Sequence, residues 1–481
     1  MDARKRIISL GLLALTSLTL TSCGTRQKLL FLNWGEYIDD SLVEEFENIY
    51  NVDVITDLAD SNEIFYSKIK SGTTVYDVVC PSDYMVEKLY EADLLSEIDF
   101  NKMPLSGYTP DSDDLRYGVS EIMNLMENNT KKYQEEHDKK SIKNYFVPYL
   151  WGTWCIAYNS TKDGLYEAVT MQENQWASLF DRSVLPEGTT VAMYDSHQHA
   201  YYATMRYLYN SGYKFQTEGV NAENVVSTEL GVSDLNKVIE TIKNMHFNAW
   251  GTDNIKKEIV ADNLSLGFMW TGDALYYYAE IIADMVSEAY ESGDIKLSDV
   301  ASMIDTLTDQ TVPSPDRTYV SKSNTEYNIS FDMYIPDDTI AFMDNLIITK
   351  DAANYDLAMK FIDFMTSNNV EKKAEDGEEP EILEPSFANT YYVDYDAPYN
   401  YLYDELVDLT STEFTDEVAA EFDPDDGDPY DSDLYWLFYD YVIGVSFNKY
   451  YPKNEIKGSI LAMFDRKYVN KINTTLNNAR V

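Results

Sequence analysis

The chain has 481 residues, which is more than one compact core usually accommodates and favours two lobes or domains. Its formal net charge of −46 argues against nucleic acid or anionic lipid as a partner, because such a chain would be repelled by both. Its 40 tyrosines suit contacts with cations or sugars as well as ordinary packing, so composition alone leaves the ligand open.

The first residues have the form of a secretory signal. A basic cluster at residues 4–6 precedes an apolar run at residues 7–20, which is too short to span a membrane comfortably. The run ends in LTSC, and small residues before Cys23 resemble the lipobox of bacterial lipoproteins. Ordinary cleavage with an incidental cysteine is the alternative. We predict a signal peptide over residues 1–22, lipidation of Cys23 and an extracytoplasmic protein anchored to the cell membrane.

Two cysteines follow the predicted lipidation site, at Cys80 and Cys155. Two thiols do not make a disulfide framework, so the fold must depend on its apolar core. The sequence leaves open whether these two residues form a single bridge.

From residue 28 the sequence alternates predicted strands and helices. The segments in chain order are KLLFLNW, SLVEEFENIYN, VDVITDL, NEIFYSKIKSG, YDVVCPS and DYMVEKLYEADLL. Leu42, Phe46 and Ile49 form one apolar stripe of the first helix, and Gly72 ends the second. This alternation predicts a parallel α/β sheet whose binding residues lie at the carboxyl ends of the strands.

A long apolar and aromatic stretch at residues 146–160, FVPYLWGTWCIAYNS, is predicted to be a strand that crosses between lobes. A second α/β series follows it. Its segments are TTVAMYDS, AYYATMRYLYNSGY, the strand and helix of LSLGFMWTGDALYYYAEIIADM with a turn at Gly272, and FMDNLIITKDAANYDLAMKFIDFMTS. Residues 288–328 and the acidic stretch 371–433 have the character of insertions.

Aromatic residues and acids occur together where predicted strands begin or end. NWGEYI at residues 33–38 follows the first strand, MWTGD covers residues 269–273, and AFMDN covers residues 341–345. An aromatic wall beside a carboxylate can hold an organic cation. Packing of the aromatic rings in the core and helix capping by Asp273 are the structural alternatives. Acids distributed over several strand ends are better placed to bind an elongated cation than to act as a catalytic carboxylate pair.

The order and spacing of several stretches resemble the spermidine/putrescine-binding proteins of ABC polyamine importers. These stretches are NWGEYI, YDVVCPSDYMVEKL, PYLWGTWCIAYN, GFMWTGD and AFMDNLIITKDAANYDLAMKFIDF. The resemblance extends from about residue 29 to residue 400, outside the two apparent insertions. It implies a bilobal α/β fold like that of periplasmic binding proteins, with crossing strands and a ligand cleft between the lobes. It further implies lobe 1 at residues 23–149 and 272–349, and lobe 2 at residues 150–271 and 350–481.

The resemblance also implies a set of ligand contacts. The aromatic walls would be Trp34, Tyr37, Tyr84, Trp250, Trp270 and Phe342. The acids that bind ammonium groups would be Glu36, Asp195, Asp273 and Asp344. Lesser polar contacts would come from Ser82, from His199 and from Tyr395, the last in the second lobe. Aromatic faces would cover the methylenes of the ligand and add cation–π attraction of about 0.5–2 kcal/mol each, while carboxylates fix its ends.

The turn YDSHQHAYYATM departs from the pattern of this family. Asp195 is kept, but Ser196 stands where a second acid is frequent and His199 where a glutamate is expected. The loss of an ammonium partner leaves open whether the ligand is putrescine, spermidine or another amine. A protonated His199 would oppose an ammonium, so binding is expected to weaken at acid pH.

Metal binding and catalysis are the rival interpretations. His197 and His199 lack an evident third ligand, and the acidic stretch 423–436 has Leu434 where an EF-hand needs glutamate. We therefore expect neither a metal nor another cofactor. No serine-hydrolase elbow, His-Glu-x-x-His, phosphate loop or Cys–His pattern is present, so an enzyme is not expected. A glycoside-acting enzyme with aromatic sugar platforms remains an alternative, as does the same fold binding another amine or a sugar.

The sequence thus predicts an extracytoplasmic solute-binding lipoprotein that captures a polyamine. Its expected partners are the polyamine, the permease subunits of an ABC transporter and the membrane that receives its lipid. A monomer with no nucleic-acid partner is expected.

Overall fold

The computed structural model describes residues 26–222, 224–252, 254–372, 380–415, 418, 433–451, 453, 459–460 and 466–477. The predicted signal peptide and Cys23 lie outside these described residues. So do residues 423–432, which belong to the stretch 423–436 that was compared with an EF-hand. The chain divides into two compact units. The first comprises Met1–Trp151 and Phe342–Tyr403, and the second comprises Gly152–Ala341 and Asp404–Val481.

Strands and helices alternate through both units, as the sequence predicts. The strands are β1 (Gln27–Asn33), β2 (Val52–Leu58), β3 (Val78–Val79), β4 (Val147–Tyr158), β5 (Val191–Tyr194), β6 (Ala249–Gly251), β7 (Leu266–Trp270), β8 (Thr318–Val320), β9 (Glu326–Asn328), β10 (Asp332–Tyr334), β11 (Ile340–Ile348), β12 (Val370–Lys372), β13 (Glu381–Leu383) and β14 (Ser459–Ile460). The α-helices are Asp40–Tyr50, Asn62–Ser71, Asp83–Glu91, Tyr117–His137, Leu165–Thr170, Ala177–Phe180, His197–Asn210, Val232–Met245, Asn254–Val260, Thr271–Glu291, Leu297–Thr308, Tyr355–Met365, Pro385–Val393, Asn400–Asp408, Asp433–Tyr450 and Arg466–Asn477. Short 3₁₀ helices cover Phe100–Lys102, Ile142–Asn144, Arg182–Val184, Ser314–Asp316 and Leu409–Ser411.

In the first unit, β1 lies between β2 and β3 and is parallel to both. Helices connect these strands, so the carboxyl ends of β1 and β3 meet at one edge of the sheet. β11 then pairs with β3 in the antiparallel direction, whereas the sequence predicted a parallel sheet. Because β11 runs the opposite way, its first residues reach the edge where the parallel strands end.

The helix Asp40–Tyr50 shows how local sequence fixes an element of this unit. Asp39 caps its first turn by accepting a hydrogen bond from the backbone N–H of Ser41 at 2.9 Å. Leu42 and Phe46 are buried, and burial of such a side chain stabilises the fold by about 1.5–3 kcal/mol. Ile49, the third member of the predicted apolar stripe, is 36% exposed because it lies in the last turn, at the rim of the packed face.

In the second unit, β7 pairs antiparallel with β4 and parallel with β5, and β5 is parallel to β6. β10 adds to the other side of β4 in the antiparallel direction. The carboxyl ends of β5, β6 and β7 therefore share one edge, which carries the predicted residues Asp195, Trp250 and Trp270.

The packing divides the chain differently from the predicted lobes. Residues 272–341 belong to the second unit, because the helix Thr271–Glu291 follows β7 directly and packs against that strand. Residues 350–403 belong to the first unit, where Phe361 lies 5.1 Å from the rings of both Phe31 and Phe46. The chain passes between the units three times: within the long strands β4 and β11, and within the helix Asn400–Asp408.

Two further expectations are resolved by the described residues. Cys80 and Cys155 are both buried free thiols, so the bridge that the sequence left open is not formed. No helix in the described part of the chain combines the length and apolar character needed to cross a bilayer.

Candidate functional site

Asp344 is the centre of a polar group in the first unit. It lies in β11, and the residue is 5% exposed. Its Oδ2 accepts a hydrogen bond from the Tyr37 hydroxyl at 2.7 Å, and its Oδ1 accepts one from the Ser82 hydroxyl at 2.6 Å. The fold thus brings two predicted site residues, Tyr37 after β1 and Ser82 after β3, to the carboxylate of a third in β11.

The turn after β1 positions Tyr37. Within this turn the left-handed conformation falls on Glu36, with φ of 49°, and not on the adjacent Gly35. The backbone carbonyl of Tyr37 then accepts hydrogen bonds from the Asn33 side-chain amide at 3.5 Å and from the Tyr149 hydroxyl at 3.4 Å. These contacts fix the backbone from which the Tyr37 hydroxyl reaches Asp344.

Ser82 is positioned by two partners and does not cap a helix. It occupies the N-cap position of the helix Asp83–Glu91, yet its side chain makes no cap hydrogen bond. Its backbone N–H instead donates to Asn62 Oδ1 at 3.1 Å, and its hydroxyl oxygen accepts from Asn62 Nδ2 at 2.9 Å. The Ser82 hydroxyl proton is therefore directed to Asp344.

Two further aromatic rings adjoin Tyr37, which donates to Asp344. The ring of Tyr395 meets the ring of Tyr37 edge-on at 5.5 Å and that of Phe342 at 5.7 Å, and all three residues are buried. Tyr395 belongs to the first unit, so its predicted place in the second lobe was wrong. The next residue, Asp396, forms a buried ion pair with Arg116 at 2.8 Å, which holds this segment in place. Sequence reasoning missed that pair, because no local pattern links positions 280 residues apart.

Three other predicted residues of the first unit are Trp34, Tyr84 and Glu36. Trp34 is half-buried and packs on Phe65 with ring centroids 4.5 Å apart. The hydroxyl of half-buried Tyr84 donates to Glu63 at 3.4 Å, and Glu36 is exposed. Within the described residues, none of these three predicted residues hydrogen-bonds to the Asp344 carboxylate.

The electrostatic setting of Asp344 differs from that of four other buried acids. Asp77 and Asp363 accept backbone N–H groups, while Asp332 and Asp396 each pair with an arginine. Asp344 receives only two neutral hydroxyls and has no lysine or arginine partner in the described part of the chain. Burial therefore raises its pKa to about 6, although both hydrogen bonds oppose this rise. A buried carboxylate of this kind would be stabilised by an external cation.

The second unit contains an aromatic group formed by Trp154, Tyr194, His199 and Trp270. The His199 ring stacks on Trp154 at 4.2 Å and meets Trp270 edge-on at 4.9 Å. Neither ring nitrogen has a hydrogen-bond partner among the described residues. Burial lowers the pKa of His199 to about 3, so the ring is neutral between pH 5 and 8, and the acid weakening expected from its protonation does not arise there.

Sequence reasoning identified only part of this aromatic group. His199 and Trp270 were predicted contacts, but Trp154 was assigned only to a crossing strand and Tyr194 only to the preceding strand. Trp154 and Trp270 are directly paired in the antiparallel register of β4 and β7. Such pairing places side chains on the same face, and the strand pairing needed to find it is absent from the sequence pattern.

Asp273 is not the N-cap residue of its helix. The helix begins at Thr271, so Gly272 lies inside its first turn rather than in a preceding turn, and the N-cap residue is Trp270. The Asp273 Oδ1 accepts a hydrogen bond from Lys256 Nζ at 2.9 Å. This predicted ammonium partner therefore already has a cation from its own unit, and Lys256 was missed by sequence reasoning.

The remaining predicted residues of the second unit lie on neighbouring strand ends. Asp195 is exposed, and its backbone N–H donates to the carbonyl of Gly251 at 2.7 Å. Trp250 is half-buried in β6 and meets Phe247 edge-on at 5.5 Å. Thus the structure brings His199 and Trp270 into contact, while Asp195 and Trp250 contribute to the same sheet edge.

Neither a candidate metal cluster nor the depression described next involves the predicted site residues of the described chain. Across the described ranges, no cluster of three or more histidine, cysteine or acidic side chains could hold a metal ion. An open depression of about 300 Å³ contains no predicted site residue and is lined by Gln216, Thr217, Gly231, Val232, Ser233 and Asp234. The Asp234 carboxylate there is already engaged by four hydrogen bonds from Tyr213, Gln216 and Thr217.

Comparison with known proteins gives concordant results for fold and family. A family model described as "Hypothetical lipoprotein (MG045 family)" matches residues 1–420. Spermidine/putrescine-binding periplasmic proteins of Salmonella typhimurium and Escherichia coli are each 25% identical over 272 residues, covering 56% of this chain and 66% of the relative. The match thus spans slightly less than two thirds of those relatives.

Solved structures share the same architecture. The substrate-binding protein PotD of a spermidine/putrescine ABC transporter from Streptococcus pneumoniae has a TM-score of 0.52 at 19% identity, covering 94% of this chain and 98% of that one. The Tp0655 (TpPotD) lipoprotein of Treponema pallidum has a TM-score of 0.53 at 17% identity, covering 94% and 99%. The similarity confirms the predicted bilobal α/β fold of periplasmic binding proteins.

Proposed function

We propose that this chain, which belongs to the MG045 family of hypothetical lipoproteins, is an extracytoplasmic solute-binding protein for a polyamine, putrescine or spermidine. It would deliver that polyamine to the permease subunits of an ABC transporter. Relatives named for spermidine and putrescine binding support this proposal, and their names describe binding proteins rather than enzymes.

The observation that carries the proposal is the unpaired charge of Asp344. Its two oxygens are held in fixed directions by Tyr37 and Ser82, and no cationic side chain of the described residues neutralises it. A primary ammonium supplies both the positive charge and the donors that a carboxylate needs. The neighbouring rings of Tyr395 and Phe342 provide apolar surface for methylene groups and negative ring faces for a cation.

We propose that both units contribute contacts to the polyamine. From the first unit these would be Trp34, Glu36, Tyr37, Ser82, Tyr84, Phe342, Asp344 and Tyr395. From the second unit they would be Asp195, His199, Trp250, Trp270 and Asp273. Exposed acids such as Glu36 would contribute less than Asp344, because water and salt screen their charge.

We propose that lipidated Cys23 anchors the protein to the cell membrane after removal of residues 1–22. The family description as a lipoprotein supports this, as does the small-residue sequence before the cysteine. Cys23→Ser should move the protein from the membrane fraction to the soluble fraction. Retention in the membrane fraction would contradict lipid anchoring at this residue.

Isothermal titration calorimetry tests the ligand assignment. The full chain in a non-ionic detergent is titrated with putrescine, spermidine, spermine and a panel of neutral sugars. We expect micromolar or tighter binding of a polyamine that salt weakens only modestly, because a buried carboxylate is poorly screened. Heat from a sugar and none from any polyamine would refute the polyamine assignment and favour a sugar-binding or glycoside-acting protein.

A further inference from the structure

An ion pair occupies the place where the second unit was predicted to bind an ammonium. Lys256, on the helix Asn254–Val260, directs its Nζ to Asp273 Oδ1 at 2.9 Å. The lysine side chain is 10% exposed and the aspartate side chain 23% exposed. The same Nζ lies 5.2 Å from the ring centroid of Tyr277. Lys256 therefore has the surroundings of a bound alkylammonium: a carboxylate, an aromatic face and little water.

This pair is an integral part of the unit. Lysine is seldom buried without a partner, because removing an ammonium from water costs several kcal/mol. Asp273 lies in the first turn of the helix Thr271–Glu291, where the helix dipole favours a negative charge. The fold thus keeps the two side chains in contact, and an incoming ammonium would have to compete with Lys256 for Asp273.

We infer that Lys256 is a specificity-determining residue, a built-in ammonium that makes the protein prefer the diamine putrescine over the triamine spermidine. The inference rests on the proposed function, since it ranks polyamines that the protein is proposed to bind. Lys256 forms an ion pair with Asp273, which is one of the four candidate acids, and so places a positive charge beside it. A triamine needs one more anionic partner than a diamine, so it loses more from this arrangement.

The other groups of the second unit do not replace the missing partner. His199 carries no charge at neutral pH, and its ring is enclosed by Trp154 and Trp270. Asp195 is exposed, so its attraction for a further ammonium is screened. The aromatic group favours methylenes over an additional cation, which is consistent with a shorter and less charged ligand.

Calorimetry of a neutralising variant and a matched control tests the inference. Lys256→Met removes the charge and keeps most of the chain length, whereas Lys257→Met makes the same change at the exposed neighbouring position. With the full chain in detergent, we expect Lys256→Met to shift the affinity ratio of spermidine to putrescine at least tenfold toward spermidine. The Lys257→Met variant should shift that ratio less than twofold.

A double variant shows whether the effect passes through Asp273. In Lys256→Met/Asp273→Asn the released carboxylate is gone, so the ratio should return to within about threefold of the wild-type value, a difference of less than ~0.7 kcal/mol. Lys256→Gln serves as the second neutral variant if the methionine variant does not fold. If neither folds, the wild-type preference decides: tighter putrescine supports the inference and tighter spermidine overturns it.

The outcomes separate this inference from the proposed function. If a folded Lys256 variant has an unchanged ratio of spermidine to putrescine affinity, the role of Lys256 is overturned. Polyamine binding by the wild type would still uphold the proposed function. No heat from either amine in the wild type and in the variants overturns the proposed function and this inference with it.

Discussion

Replacement of Asp344 by asparagine tests the residue on which the polyamine assignment depends. The substitution keeps the shape of the side chain and removes one charge that is buried with no cationic partner among the described residues. A hydrogen bond to a charged group contributes about 1.5–3 kcal/mol, which corresponds to a loss of about 10- to 150-fold in Kd. We expect a loss of that size for the preferred polyamine.

The pH dependence gives the same experiment a second readout. Because burial raises the pKa of Asp344 to about 6, the ionised fraction falls roughly tenfold as the pH is lowered from 7 to 5. Wild-type affinity should therefore fall about tenfold over this range, and the affinity of Asp344→Asn should stay nearly constant. Burial raises the pKa of neighbouring Asp83 to about 8, so Asp83 is neutral throughout the range and contributes little to the slope.

The stability of the unliganded protein gives the necessary control. An aspartate with a raised folded-state pKa contributes stability that is present below the unfolded pKa of 3.8 and is lost as the pH rises through about 6. The Asp344→Asn variant should therefore remain folded at pH 7, with a thermal midpoint at or above that of the wild type, because the uncharged asparagine avoids this loss. Glu36→Gln, at an exposed acid of the same unit, should change Kd by less than about threefold. Wild-type affinity and slope in a folded Asp344→Asn variant would refute the assignment of this carboxylate to an ammonium.

Two further predictions concern the second unit and the core of the first. His199→Glu should raise spermidine affinity, because it places a carboxylate beside Trp270. The substitution breaks no hydrogen bond of the ring, since neither ring nitrogen has a partner among the described residues. An unchanged Kd in calorimetry would mean that the turn was wrongly matched to the family. Arg116→Met should lower the free energy of unfolding by about 3–5 kcal/mol, since it leaves Asp396 buried without its cation. Urea unfolding measures this loss, with Arg26→Met at an exposed ion pair expected to change stability by less than about 1 kcal/mol.

Local sequence patterns predicted most elements of the fold. β2 coincides with the predicted segment VDVITDL, and the helices after β1, β2 and β3 form where the apolar spacing and caps indicated them. The assignment of segments to lobes was less successful. The helix Tyr355–Met365 has the predicted amphipathic pattern, but which unit it covers depends on contacts such as that of Phe361 with Phe31, which lie far apart in sequence.

The candidate site was predictable in its residue types and less so in its interactions. Aromatic–acid pairs marked Tyr37, Asp344 and Trp270, and the structure places Tyr37 on Asp344 as part of one group. Lys256 could not be assigned in this way, because its contact with Asp273 depends on how two consecutive helices pack. Spacing along the chain shows which groups are available, and only tertiary contacts show which of them neutralise each other.

The motifs MWTGD and AFMDN illustrate this distinction, since the sequence presents their acids as equivalent. Asp344 is more buried and receives only hydroxyl donors, whereas Asp273 is paired with a lysine. An Asp273→Ala variant would remove the carboxylate that the buried Lys256 contacts at 2.9 Å, so a loss of polyamine binding there would combine lost stability with lost recognition. Asp344→Asn leaves no cation behind, and a loss of binding in that variant reports on recognition of the ligand itself.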